Sequence, residues 1–135
     1  MTRRFEEVEE GDELPARELF LEKDQVRAYA RAAGQWGARF TDDEGARREG
    51  LPGMITPGNM SLGLLASLLE AWAGAGTVRR LGATFRGLVF PDRTLKVCGA
   101  VTEKDAGART VEVDVWLESA DGERPVIGTA TVSLA

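Results

Sequence analysis

The chain has 135 residues, 43% hydrophobic and 29% charged, with a formal net charge of -5, one cysteine and no histidine. This length and balance suit a single globular domain with a real core, and they exclude a disordered chain or a disulfide scaffold. The acidic balance opposes nucleic-acid binding, which depends on Lys and Arg neutralising phosphates, and the pairs Arg3-Arg4, Arg47-Arg48 and Arg79-Arg80 are scattered among carboxylates as solvated surface.

In chain order, Phe5 to Val8 and Ala16 to Leu21 are candidate first strands. Asp24 to Ala33 has helical spacing, with Val26, Tyr29, Ala30 and Ala33 on one stripe; Asp24 is placed to cap it or complement its dipole, and Gly34 stops it. From Gln35 to Met60 the pattern is irregular and rich in Gly and Pro, with a short helix predicted at Asp43 to Glu49. A long, half-structured excursion of this kind is often functional. Asn59 to Trp72 is the most apolar helix. Its Met60, Leu64, Leu65, Leu68, Leu69 and Trp72 lie nearly all round, among Ser, Gly and Ala, and a helix without a polar face is a buried one.

After Gly74 and Gly76 the pattern changes to strands over Val78 to Phe85, Leu95 to Glu103, Thr110 to Glu118 and Pro125 to Leu134. The third alternates Val111, Val113, Val115 and Leu117 against Glu112, Asp114, Trp116 and Glu118, so one face is buried. Asp121-Gly122 marks the tight turn into the last strand. A long buried helix followed by an antiparallel meander is an α+β fold in which a sheet wraps one central helix. The lone Cys98 and an N-terminus without an apolar leader fit a reducing cytoplasm. The longest apolar segment, Leu62 to Trp72, is too short to span a bilayer.

Gly34 opens a segment closed by Asp42, and the small residues Ala46 and Gly50 follow it. Ile55, Gly58 and Met60 lead into the apolar helix; Leu81, Phe85, Val89, Pro91, Asp92, Thr94 and Leu95 come next, and Gly128, Ala130 and Val132 lie in the last strand. In order and spacing these positions resemble the MaoC-like dehydratases and (R)-specific enoyl-CoA hydratases. That family carries Gly-Asp-x-Asn-Pro-Ile-His-x-Asp, then Ile-Ala-His-Gly-Met, then a strand ending Pro-Gly-Asp-Thr-Leu. The resemblance implies one MaoC-like hotdog domain over residues 1–135 and an acyl-thioester ligand on coenzyme A or a carrier protein.

On this frame the family's aspartate falls on Gln35, its asparagine on Gly37, its proline on Ala38, its isoleucine on Arg39 and its histidine on Phe40. The histidine of the second motif falls on Pro57. Hydrating an enoyl thioester needs a base for water and an acid for the α-carbon, and Gln35 and Phe40 do not titrate. Each lost acid or base typically costs about 10²- to 10⁴-fold in rate. Asp42 and Glu44, with Asp43 between them, are the nearest carboxylates that could substitute.

Binding features remain. The resemblance places the Gly58 amide where a thioester carbonyl would sit, at the positive end of the helix, with Asn59 as a candidate cap; Pro57-Gly58-Asn59 is equally a plain helix start. Trp36 and Phe40, with Ile55 nearby, could line or plug an acyl tunnel, or simply fill space. Arg39 could clamp an acid group or a phosphate. Gln35 could orient a carbonyl or satisfy buried backbone. Cys98, without a basic neighbour, belongs to packing rather than nucleophilic chemistry. There is no GxSxG elbow, no Gly-rich phosphate loop and no His/Cys zinc cluster, so no cofactor or zinc is expected, and Asp42, Asp43 and Glu44 offer only a weakly supported carboxylate site for Mg²⁺ or Ca²⁺.

Three functions follow from the resemblance. The chain is the non-catalytic half of a hydro-lyase, an enoyl-CoA hydratase or 3-hydroxyacyl dehydratase, whose partner hotdog subunit brings the Asp and His. Alternatively it is an enzyme of altered chemistry on the same pocket, an isomerase, cyclase or thioesterase using Asp42 or Glu44. The third reading is a homo-oligomeric module that binds a hydrophobic ligand.

Overall fold

The inward positions of β4 (Thr110–Ser119) set the architecture: Val111, Val113, Val115 and Leu117 are all fully buried while Asp114 faces solvent. In the computed structural model, which describes residues 1–135, β4 lies at the middle of a five-stranded antiparallel sheet of order β1-β3-β4-β5-β2. Its partners are β1 (Arg17–Phe20), β2 (Val78–Phe85), β3 (Thr94–Asp105) and β5 (Val126–Ser133). β1 and β2 form the two edges.

Three helices complete the chain: α1 (Lys23–Ala32), α2 (Asp43–Arg48) and the long α3 (Gly58–Ala73). Leu65, Leu68, Leu69 and Ala73 of α3 join the inward residues of β3, β4 and β5 in one apolar core. Contrary to the expectation of a helix buried all round, α3 keeps an exposed strip of Asn59, Gly63, Ser67 and Glu70. Gly74, with φ at +116°, ends it.

One local expectation is corrected. Phe5 to Val8 is no strand: Phe5–Glu7 form a single 3-10 turn, and the buried Phe5 and Val8 lie three residues apart on one side of it. Backbone bonds tie this segment to the end of α3 and to the C-terminus, from Arg3 N–H to the Ala73 oxygen and from Phe5 N–H to the Ala135 oxygen, each at 2.8 Å. The cap of α1 is Glu22, whose side chain forms a reciprocal box with Gln25; Asp24 sits in the first turn, where it complements the dipole. The β4–β5 turn forms at the expected place, with Gly122 at φ +85° donating to the Ser119 oxygen at 2.9 Å.

Candidate functional site

The segment between α1 and α3 has no strand ladder, so individual bonds shape it. Gly34 takes φ +72°, which turns the chain out of α1, and Gln35 N–H closes back on the Ala30 oxygen at 2.7 Å. A 3-10 turn over Ala38–Phe40 then packs on α2 so closely that a Cβ on Gly45 would stand 2.5 Å from the Ala38 methyl. Ile55 N–H donates to the Arg39 oxygen at 2.7 Å, which clips the two sequence motifs together. Thr56 N–H donates to the Val89 oxygen at 2.7 Å and holds the same stretch to the β2–β3 connection.

At the entrance of α3 the N-cap is Pro57, in extended conformation, with no side chain capping the helix. Asn59 is not the cap: it lies inside the first turn with its side chain in solvent. The amides of Gly58 and Asn59 donate to no group of the chain, so two N–H dipoles stand open at the positive end of a 16-residue helix. Gly58 also has a packing reason to be glycine, because a Cβ there would come within 3.2 Å of the Phe85 ring.

The other predicted residues separate into those the fold engages and those it leaves open. Gln35 is half-buried, with its Oε1 fully enclosed and unpartnered, and Phe40 is half-buried. Ile55 and Pro57 are buried, whereas Trp36 is 67% exposed. Arg39 lies 3.4 Å from Glu49, so its charge already has an acidic partner. Asp42 accepts from Gly45 N–H at 2.9 Å as the cap of α2, and Glu44 pairs with Arg48 at 3.6 Å. Asp43 turns the opposite way, accepting from Met54 N–H at 3.0 Å and from Lys23 at 2.9 Å. The Met54 amide first, and then the Lys23 ammonium, hold its carboxyl below the usual carboxylate range. The three neighbouring carboxylates thus diverge, and no three His, Cys, Asp or Glu side chains assemble as a metal site.

Two residues were invisible to the sequence reading. Thr56 and Ser61 are 5% and 1% exposed, and the hydroxyl of each is buried without a partner. An unmade buried hydrogen bond costs about 1–3 kcal/mol, so such groups are few in native chains. The principal hollows lie elsewhere. One of about 550 Å³ opens on the outer sheet face among Gly82, Thr84, Asp114, Trp116 and Arg124, and one of about 230 Å³ opens among Lys23, Asp43, Arg47 and Arg93. None of these principal hollows is lined by Gln35, Phe40 or Gly58. Cys98 is half-buried on the outer face of β3, where burial and then Glu118 push its thiol up, away from the reactive thiolate.

Comparison with known proteins gives the class. The family model of the MaoC-like domain matches residues 5–122, and the chain belongs to that family. A MaoC-like dehydratase of known structure superimposes with a TM-score of 0.93 at 28% identity, covering 99% of this chain and 43% of that one; this chain spans less than half of its length. The ChsH1-ChsH2 complex from Mycobacterium tuberculosis gives 0.86 at 19% identity over 95% of this chain and 99% of the matched one. An (R)-hydratase from A. caviae involved in PHA biosynthesis gives 0.87 at 18% identity over 95% and 98%. No protein of curated function matches the sequence. The fold is the hotdog arrangement, an antiparallel sheet with one long helix. No helix is long and apolar enough to cross a membrane.

Proposed function

We propose that this chain is the acyl-thioester-binding, non-catalytic subunit of a hetero-oligomeric MaoC-like hydratase or dehydratase. The observation that carries the proposal is the chemistry at the two reactive positions. Gln35 and Phe40 stand where the resemblance puts the family's acid-base pair, and there is no histidine anywhere in the chain. The carboxylates that might replace them are engaged: Asp42 caps α2 and Glu44 pairs with Arg48. That weighs against altered chemistry built on Asp42 or Glu44. What the site retains suits recognition, since the open Gly58 and Asn59 amides can donate to a thioester carbonyl.

A partner subunit accounts for the remaining features. β2 is an edge strand with one side unpaired, and it ends at Phe85, the ring that rests on Gly58. Phe85 and the nearby Leu88 are exposed apolar side chains at this end of β2, the composition of a surface that receives another protein. A second hotdog subunit docked there would bring its own Asp and His to the Gly58 amide. The likeness to the ChsH1-ChsH2 complex supports an assembly of two different chains. The ligand class, acyl-CoA or acyl-carrier thioester, and a cytoplasmic location belong to the same proposal.

Co-expression with a MaoC-like partner that carries the Asp/His pair tests it. The complex is expected to hydrate enoyl-CoA substrates, while this chain alone does not. A complex that forms yet stays inactive on every chain length would sink the proposal. A homodimer that retains an acyl species and captures no partner would favour the simple binding module instead.

A further inference from the structure

β2 is one of the two edges of the sheet, and along its free side the backbone N–H and C=O groups have no strand to meet. An eight-residue strand left in this way invites pairing with another chain, and proteins commonly guard such edges with charge. Here the charge has one sign. From Thr77 to Pro91 the sequence contains Arg79, Arg80 and Arg86 and no Asp or Glu, in a chain whose net charge is -5. Arg80 lies 3.5 Å from Glu112, but Arg79 and Arg86 are exposed and meet no carboxylate. The Arg79 guanidinium donates to the Gly76 oxygen, at 3.2 Å. The opposite edge, β1, is four residues long and carries both signs, Arg17 and Glu18.

Pairing of β2 with the β2 of a second copy about a two-fold axis is antiparallel, and residues opposite one another share a face. Leu81 and Ala83 face the core. The two registers that keep them inward and overlap most of β2 centre on Leu81 and on Gly82. In the first, Arg80 stands diagonal to the Arg80 of the copy; in the second, it stands diagonal to Arg86 of the copy. Diagonal neighbours lie about 7–8 Å apart, within reach of long side chains. Like charges gathered on one seam oppose the union, whereas carboxylates in the same places favour it.

We infer that β2 selects its partner by charge: it pairs with an edge strand of a different chain that presents Asp or Glu, and its arginines bar a second copy of this chain. The inference rests on the hetero-oligomer reading given above and names the chemistry of the partner's docking edge. Phe85, 51% exposed, and Leu88, 43% exposed, supply apolar contact to an encounter steered by Arg79, Arg80 and Arg86. Attraction of this kind speeds association and weakens with salt.

A charge-reversed copy of the full chain, Arg79→Glu with Arg80→Glu and Arg86→Glu, serves as the test partner. Sedimentation equilibrium is measured on the native chain, on the reversed copy and on their equimolar mixture, with hydrogen exchange followed at the β2 amides. The mixture is expected to form a one-to-one pair about tenfold or more tighter than either chain forms with itself. That pair should protect β2 amides and loosen as salt rises from about 0.05 to about 0.5 M. If the reversed copy fails to fold, Arg79→Gln with Arg80→Gln and Arg86→Gln keeps the test: neutralising the seam is expected to strengthen self-association about tenfold at low salt, and an unchanged affinity would overturn the inference. A native chain that pairs with itself through β2 as tightly as the mixture does would overturn it, and so would a mixture that stays monomeric. Either result leaves the hetero-oligomer reading to the hydration assay of the co-expressed complex. A tight mixed pair beside an inactive complex would overturn that reading and not the charge selection.

Discussion

The sheet and the segment from Gln35 to Ser61 are built on opposite principles. In β3, β4 and β5 the inward positions are aliphatic and buried, and the backbone is satisfied by ladders with two irregularities, between Val101 and Glu103 of β3 and opposite Val78 and Arg80 of β2. The segment from Gln35 to Ser61 has no ladder. Single bonds accepted by Arg39, Asp42, Asp43 and Val89 hold it, and it contains the chain's orphaned buried polar atoms. The contrast teaches where stability resides: apolar burial supplies it at about 25 cal/mol per Å², and it can tolerate the few unpartnered polar atoms of the other segment.

The sharpest way to break this contrast lies in the sheet. Gly128 of β5 faces Ala83 of β2, and a Cβ there would run into the carbonyl oxygen of Gly82 and come 3.3 Å from the Ala83 Cα. Both are backbone atoms, so relief requires β2 to part from β5. Gly128→Ala is expected to cost about 1–3 kcal/mol, the range of overpacking in a rigid interior, read as a lower denaturant midpoint. An unchanged midpoint would mean that the β2 edge is as yielding as the site segment.

A smaller effect is expected at Asp43, which joins α1, α2 and the Met54 turn. Asp43→Asn removes the anion facing Lys23 and weakens the bond from Met54, at a cost of about 1 kcal/mol for a partly exposed group. Because its folded-state pKa is lowered, the carboxylate's contribution is fully present above the unfolded value and disappears as pH falls through the folded one. The stability gap between the native chain and Asp43→Asn should therefore be constant above about pH 5 and close below about pH 4. A gap that persists at lower pH would show that geometry rather than charge makes Asp43 useful.

Legibility in the sequence followed the same division. Period-two alternation located β4 to within one residue at Ser119, because that strand buries one face, and the change of pattern after Gly74 and Gly76 located β2 at its observed bounds Val78–Phe85. The apolar run located α3 to within a residue at each end. Phe5 and Val8 misled because two apolar residues three apart do not distinguish a turn from a strand. At the site, the frame placed Gln35, Phe40 and Gly58 in two segments that the fold joins, but it gave no hint that Arg39 would meet Glu49 or that Asp42 would be spent on a cap. Thr56 and Ser61 went unseen because a lone hydroxyl residue carries no period. The signal that could have found them is their position, flanking a helix start where an apolar pair is usual.

Gly58→Ala gives the smallest expected effect and completes the comparison, since it makes at the site the same change that Gly128→Ala makes in the sheet. Its Cβ would stand 3.2 Å from the Phe85 ring, a crowding that a few tenths of an ångström relieve. The obstacle is the far end of a side chain that is 51% exposed and free to turn outward, not a strand backbone. Alanine is also the better helix former, although that gain is reduced in the first turn. The two effects are expected to leave stability within about 0.5 kcal/mol of the native chain in the same denaturation measurement. A loss matching that of Gly128→Ala would mean that the Phe85–Gly58 contact is as rigid as the core.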